Sequence, residues 1–259
     1  MSKKVQPAAS SAVAAAPAVT KNLKRIVLAQ GGKGGVGKTG VIRDLTTWYR
    51  AKGLNPLLFD FDAENKLHAG LIHWVPEAKK YDVHKRGTLD EFFSAIENES
   101  DIVVADQGAG AGAVTQRWFT DYSSELAELG LRFTLLCIVD DHPSTVTSVL
   151  DWANAIGGAV DYVIAFNELS NPDSDFRYWN DSVHAKKFEE LFKPAKIRIE
   201  SRYDELEGLI ANFGVTLADV ATGTTTVPKL RELKYKMQAA RYYRHLCEQF
   251  DSAAELLLP

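Results

Sequence analysis

"RIVLAQGGKGGVGKTG", Arg25 to Gly40, runs a short apolar segment into a glycine-rich loop with two lysines and then into helix-forming sequence. Gly32, Gly37, Lys38 and Thr39 satisfy G-x-x-x-x-G-K-[ST] in the strand-loop-helix setting that this motif requires. Glycines let successive backbone N–H groups converge on phosphate oxygens, and the N-terminus of the following helix adds a partial positive charge. In such a loop Lys38 reaches the β and γ phosphates and the Thr39 hydroxyl ligates Mg²⁺. The cofactor-binding stretch is therefore expected to be Gly32, Lys33, Gly34, Gly35, Val36, Gly37, Lys38, Thr39 and Gly40. The motif needs one lysine, so Lys33 is left over.

Outward from the loop, apolar runs alternate with amphipathic stretches of helix length. "RIVLAQ", "PLLFDF", "DIVVAD", "RFTLLCIVD", "VDYVIAF" and "AKIRIE" read as strands buried on both faces. Thr39 to Ala51, Thr88 to Glu97, Thr115 to Leu129, Ser144 to Ile156, Ser182 to Phe192 and Tyr203 to Phe213 read as helices. This alternation predicts an α/β fold: a doubly wound, mostly parallel sheet flanked by helices, with the glycine loop making it a P-loop NTPase. Asn65 to Gly87 lack clean periodicity. The histidines there, His68, His73 and His84, and the later His142, match no metal-ligand spacing.

Mg²⁺ in a P-loop site takes a carboxylate from the end of a neighbouring strand. "DIVVADQGAG" supplies Asp106 after four apolar residues, with Gly108 and Gly110 permitting a tight loop beyond it. "PLLFDFD" ends in Asp60 and Asp62, which a spacing of two places on one side of a strand. Two like charges so close call for a nearby cation or proton.

"KGGVGKT", the "DFD" doublet and "DIVVADQGAG" together resemble the deviant Walker A ATPases of the ParA/MinD family, which position plasmids, chromosomes and division proteins. The resemblance extends more loosely through "DDHPSTVTSVLDWANAIG" and "VIAFNEL" and covers most of Arg25 to Val220. It implies an ATP-dependent homodimer with slow, partner-stimulated ATP hydrolysis. It implies that Lys33 crosses the dimer to the partner subunit's nucleotide, as an arginine finger does. It further implies that Asp62 orients the attacking water, that Asp60 stands behind the Mg²⁺, and that Asn167 contacts adenine. The chain departs from the pattern at Gly40, where many members have a second threonine, and at "AENK" after the doublet, which weakens any carry-over to Asn65. Gly40 also weakens the start of its helix.

The 259 residues are 46% hydrophobic with a formal charge of −4, enough for one sizeable core and no general basic coat. Cys137 and Cys247 lie far apart, and no disulfide framework is implied. Residues 1–22 read as a disordered Ala/Ser/Pro-rich tail rather than a secretory signal, because the apolar part lacks Leu, Ile and Phe and holds Pro7 and Pro17. Residues 23–259 then form the P-loop ATPase domain. No segment approaches the ~20 apolar residues of a membrane span, so a cytoplasmic protein without stable membrane insertion is expected.

The C-terminal segment Lys229 to Phe250 reads as one helix, with Leu230, Leu233, Met237, Ala240, Tyr243, Leu246 and Phe250 as an apolar stripe toward the sheet. Tyr235, Tyr242 and Tyr243 read as core packing rather than as phosphorylation sites. Six cations against two carboxylates give this segment a net charge of +4, which admits non-specific DNA as a partner.

The function that these features favour is a Mg-ATP-dependent dimerisation switch that positions or segregates a cargo in plasmid partition or conjugation. A small-molecule or metal-handling ATPase or ligase on the same fold, or a nucleotide-binding adaptor with negligible turnover, is the alternative. The chain has neither a second P-loop nor a cysteine pair, which argues against an anion pump and a nitrogenase reductase.

Overall fold

The computed structural model describes residues 24–61, 70–85, 87–108, 110–169 and 171–259. The expected N-terminal tail and Asp62 and Asn65 lie outside the described residues.

Seven strands form one all-parallel sheet. They are β1 (Lys24–Gln30), β2 (Leu57–Asp60), β3 (Lys79–Lys80), β4 (Ile102–Asp106), β5 (Leu131–Val139), β6 (Asp161–Asn167) and β7 (Ala195–Ile199). Their order is β3-β2-β4-β1-β5-β6-β7, so the chain leaves the central β1, crosses over β4 to β2, and later returns to the other side of β1 through β5. The winding reverses at β1, and ligands of open α/β sheets bind beyond the strand ends at such a reversal. All six strands expected from apolar runs are present. The two-residue β3 carries Lys79 and Lys80 and has no apolar signal to announce it.

Helices α1 (Lys38–Ala51), α2 (Thr88–Glu99), α3 (Gly112–Glu128), α4 (Pro143–Ile156), α5 (Arg177–Asn180) and α6 (Val183–Phe192) are followed by α7 (Asp204–Phe213), α8 (Leu217–Thr222), α9 (Leu233–Ser252) and α10 (Ala254–Leu257). Alternate residues of each strand feed two separate cores. Ile26, Leu28, Val103 and Ala105 meet α2, α3, α4 and α6, whereas Val27, Ala29, Val104 and Ile138 meet α1, the end of α9 and α10. A third cluster joins α7, α8 and the first half of α9. Thr216 and Asp219 start α8 with a reciprocal capping box, a local signal that the apolar periodicity alone does not catch. Gly40 does not prevent α1, because Val41, Ile42, Leu45 and Trp48 are buried along its length and packing outweighs propensity.

The C-terminal segment corrects the expectation of one helix. Lys229–Arg231 make a single 3₁₀ turn, Glu232 is extended, and α9 begins only at Leu233. Its buried stripe is Tyr235, Ala239, Tyr242, Leu246 and Phe250, while Leu233 and Met237 are 73% and 65% exposed. The first half of the stripe faces α7 and α8, and only the second half reaches the sheet. Tyr235 and Tyr242 are core residues, as the helical spacing implied. The positive face is largely compensated within the fold. Lys229 and Lys234 both pair with Glu205, Arg241 pairs with Glu200, and Arg231 donates to the Thr225 carbonyl.

No helix among the described residues is long and apolar enough to cross a membrane.

Candidate nucleotide-binding site

β1 ends at Gln30 and α1 begins at Lys38, so the glycine loop bridges the centre of the sheet at the point where the winding reverses. Gly37 enters α1 at φ 85°, and a Cβ there would stand 2.4 Å from Asn167 Nδ2. Both the backbone and the space therefore require glycine. Gly32 is similar: its φ is 70°, and a Cβ would meet Ser148 Cβ at 2.5 Å. Gly34, Gly35 and Gly40 face open space, with no atom within 4 Å of the place a Cβ would take. Val36 is fully buried and fastens the loop to the core.

Within the loop Lys38 Nζ donates to the Lys33 carbonyl at 2.9 Å, so the ammonium is held against the loop's own backbone. Thr39 Oγ1 donates to Asp106 Oδ2 at 2.6 Å, joining the start of α1 to the end of β4. Asp60 is the register partner of Asp106 on the adjacent strand, and the two are 1% and 2% exposed. Registered residues of parallel neighbours face the same side of a sheet. Two buried carboxylates and a hydroxyl thus gather beside the loop, an all-oxygen set that suits a hard divalent cation such as Mg²⁺. Among the described residues no group of three or more His, Cys, Asp or Glu side chains is placed to hold a metal, and His68 lies outside them.

The Lys33 ammonium is paired within the fold. Its Nζ lies 3.0 Å from Asp140 Oδ2, just past the end of β5, with Lys33 33% and Asp140 9% exposed. Asp140 is itself held, its Oδ1 accepting from the His142 N–H at 3.1 Å and from the Thr145 hydroxyl at 3.3 Å.

Asn167, at the end of β6, donates through Nδ2 to the Val36 carbonyl at 2.9 Å. It lines a cleft of about 390 Å³ together with Gly35, Gly37, Gly40 and Leu169. The floor of this cleft is a charged quartet that sequence reading does not find. Arg43 Nη1 donates to Glu207 Oε1 at 3.1 Å, Arg202 Nη1 to Glu207 Oε2 at 2.9 Å, Arg43 Nε to Asp44 Oδ1 at 3.2 Å, and Arg202 Nη2 to Asp44 Oδ2. Arg43 and Asp44 stand between Ile42 and Leu45 and are only 1% exposed, so charges inside an apolar helix face were the one available signal. Their partners are more than 150 residues away.

Burial alone would raise the Glu207 carboxyl, but the Arg43 and Arg202 guanidiniums bring it down to about 2 from an ordinary value of 4.5. A depressed carboxyl stabilises the fold above its unfolded value, and that contribution is lost as pH falls from about 4.5 through about 2. The Glu207 side chain is 40% exposed, so water screens the pairs and the contribution is on the order of 1 kcal/mol. Glu207→Gln is expected to be less stable than the parent in urea unfolding at pH 7 and to match it near pH 2. An equal difference at both pH values would contradict this.

A parallel sheet whose central strand passes through a G-x-x-x-x-G-K-T loop into a helix, with a carboxylate from the next strand on the loop threonine, defines the P-loop NTPase fold of the α/β class. The solved structures that align with it include MinD, McdA, a plasmid partition protein and a signal recognition particle receptor. MinD from Pyrococcus horikoshii, complexed with Mg-ADP, is 16% identical over 90% of this chain and 98% of its own, with a TM-score of 0.49. An ATP complex of McdA from Cyanothece is 11% identical over 90% and 97%, with a TM-score of 0.49. A plasmid partition protein from Borrelia burgdorferi, bound to AMPPNP, is 12% identical over 89% and 99%, with a TM-score of 0.47. No family model and no curated protein sequence matches the chain.

Proposed function

We propose that this protein is a Mg-ATP-dependent dimerisation switch of the ParA/MinD type, hydrolysing ATP slowly and under the stimulus of a partner protein to position or segregate a cargo. The observation that carries the reading is the junction of loop and sheet, where Lys38 and the Thr39–Asp106 pair meet, with Asp60 alongside. Thr39, Asp60 and Asp106 would hold Mg²⁺, directly or through water, and the ion would neutralise charge between the β and γ phosphates. Asn167 and the cleft beside it would take the adenosine end. Lys33 supports dimerisation specifically, since a phosphate loop serving one subunit has no need of it. The kind of cargo, in plasmid partition or conjugation, rests on the motif resemblance alone.

Light scattering tests the switch. The protein is expected to be monomeric without nucleotide, to dimerise on addition of ATP with Mg²⁺, and to return to monomer when EDTA removes the metal. A mass indifferent to ATP would reject the switch and leave the nucleotide-binding adaptor. In a contact with DNA through α9, Lys234 and Arg241 are already paired with Glu205 and Glu200. Lys236 and Arg244 remain to meet phosphates. The same ATP-bound samples should retain plasmid DNA at low salt and lose it toward physiological salt; no retention at low salt would shift the cargo to protein.

A further inference from the structure

Gln30 and Gln107 are the residues that follow the register pair Ala29 and Asp106 at the ends of β1 and β4. Strand alternation turns them away from Thr39, Asp60 and α1 and toward α3 and α4. They are 3% and 2% exposed. Gln30 is half satisfied: its Oε1 accepts from the Ser148 hydroxyl at 2.7 Å, while its Nε2, next to the buried Cys137 of the neighbouring strand, has no hydrogen-bond partner. Gln107 is wholly unsatisfied. Neither its Nε2 nor its Oε1 has a hydrogen-bond partner. The preceding residues on this face of β4, Val103 and Ala105, are apolar, and a leucine would fill the Gln107 position without burying two unsatisfied polar atoms.

Gln107 borders a cleft of about 220 Å³ between the glycine loop and helices α3 and α4, shared with Gly32, Lys38, Gly108, Gln116 and Ser148, and its amide atoms lie just beneath the surface there. The cleft therefore contains the lysine assigned to the β and γ phosphates, and it lies on the far side of the loop from the adenosine cleft. An amide carries a donor and an acceptor at one end, which is what a group must offer to meet an anionic phosphate oxygen and a water molecule together.

We infer that Gln107 is a substrate-contacting residue of the hydrolytic step, with its Nε2 donating to a terminal-phosphate oxygen and its Oε1 accepting from the attacking water. This rests on the nucleotide reading above. The water oxygen forms the new bond to the γ-phosphorus, the bond from phosphorus to the β–γ bridging oxygen breaks with its electron pair leaving on ADP, and the water's proton ends on inorganic phosphate. Gln107 gains and loses no proton. It orients the reactants, as glutamines do in other P-loop enzymes.

The test uses the full chain with fluorescent ATP and ADP analogues for affinity and single-turnover hydrolysis with protein in excess. Gln107→Leu preserves volume and removes the amide; its single-turnover rate is expected to fall on the order of tenfold to hundredfold, with ADP-analogue affinity within about twofold of the parent. Gln107→Glu keeps the shape and adds a negative charge; it is expected to weaken the ATP analogue roughly tenfold while sparing the ADP analogue, since only ATP carries the γ-phosphate. A merely structural glutamine would weaken both analogues alike. Equal losses of ATP and ADP binding, or unchanged hydrolysis in Gln107→Leu, would overturn the assignment and leave the nucleotide reading standing. A parent protein that binds neither analogue would overturn both.

Discussion

Lys38→Ala is expected to lower affinity for a fluorescent ATP analogue by roughly tenfold to hundredfold, because a charge-assisted hydrogen bond to phosphate is worth about 1.5–3 kcal/mol. The substitution also removes the donor to the Lys33 carbonyl, so the free loop loses an internal tie together with its phosphate contact. Lys38→Arg separates the two effects. It restores charge, but its planar fork is wider than an ammonium and fits a narrow glycine loop poorly, so only partial recovery is expected. Equilibrium titration monitored by fluorescence anisotropy measures all three proteins. Affinity unchanged in Lys38→Ala would remove the site assignment and, with it, the switch.

Lys33→Ala is expected to bind ATP like the parent and to fail to dimerise, whereas Asp62→Ala is expected to bind ATP and accumulate as a dimer. The two phenotypes separate a lysine that serves the partner subunit from a carboxylate that serves the water. In the monomer the Lys33 ammonium is 3.0 Å from Asp140, so reaching a second subunit means first leaving that carboxylate. Asp140→Asn keeps an acceptor for the His142 N–H and the Thr145 hydroxyl while removing the charge that holds Lys33. Dimerisation at lower protein concentration is therefore expected in that variant. Multi-angle light scattering with and without Mg-ATP reads the mass, and phosphate release reads the turnover. A Lys33→Ala protein that dimerises and hydrolyses normally would remove the account of the second lysine.

Much of the fold and of the loop is legible in the sequence. The six long strands show themselves as apolar runs because a strand buried on both faces has no polar side to display. The glycine loop is legible because its backbone demands are met by one residue type: positive φ at Gly32 and Gly37, with Ser148 and Asn167 too close for a Cβ. Asp60 and Asp106 could be named as strand-ending carboxylates, although only the pairing of β2 with β4 makes them neighbours.

What required the tertiary structure is what depends on which distant residue arrives. The α9 sequence offers two apolar stripes of equal helical spacing. Packing against α7 and α8 selects Tyr235, Ala239 and Tyr242 and leaves Leu233 and Met237 outside. Lys33 is drawn to Asp140 because β5 lies beside β1, and the Arg43–Asp44–Arg202–Glu207 quartet closes across more than 150 residues. Gln107 reads as an ordinary polar loop residue until the ladder buries it beside Gln30. Periodicity and local chemistry specify which elements form and where the loop lies; strand order, an outcome of the whole core, decides which charges and amides meet there.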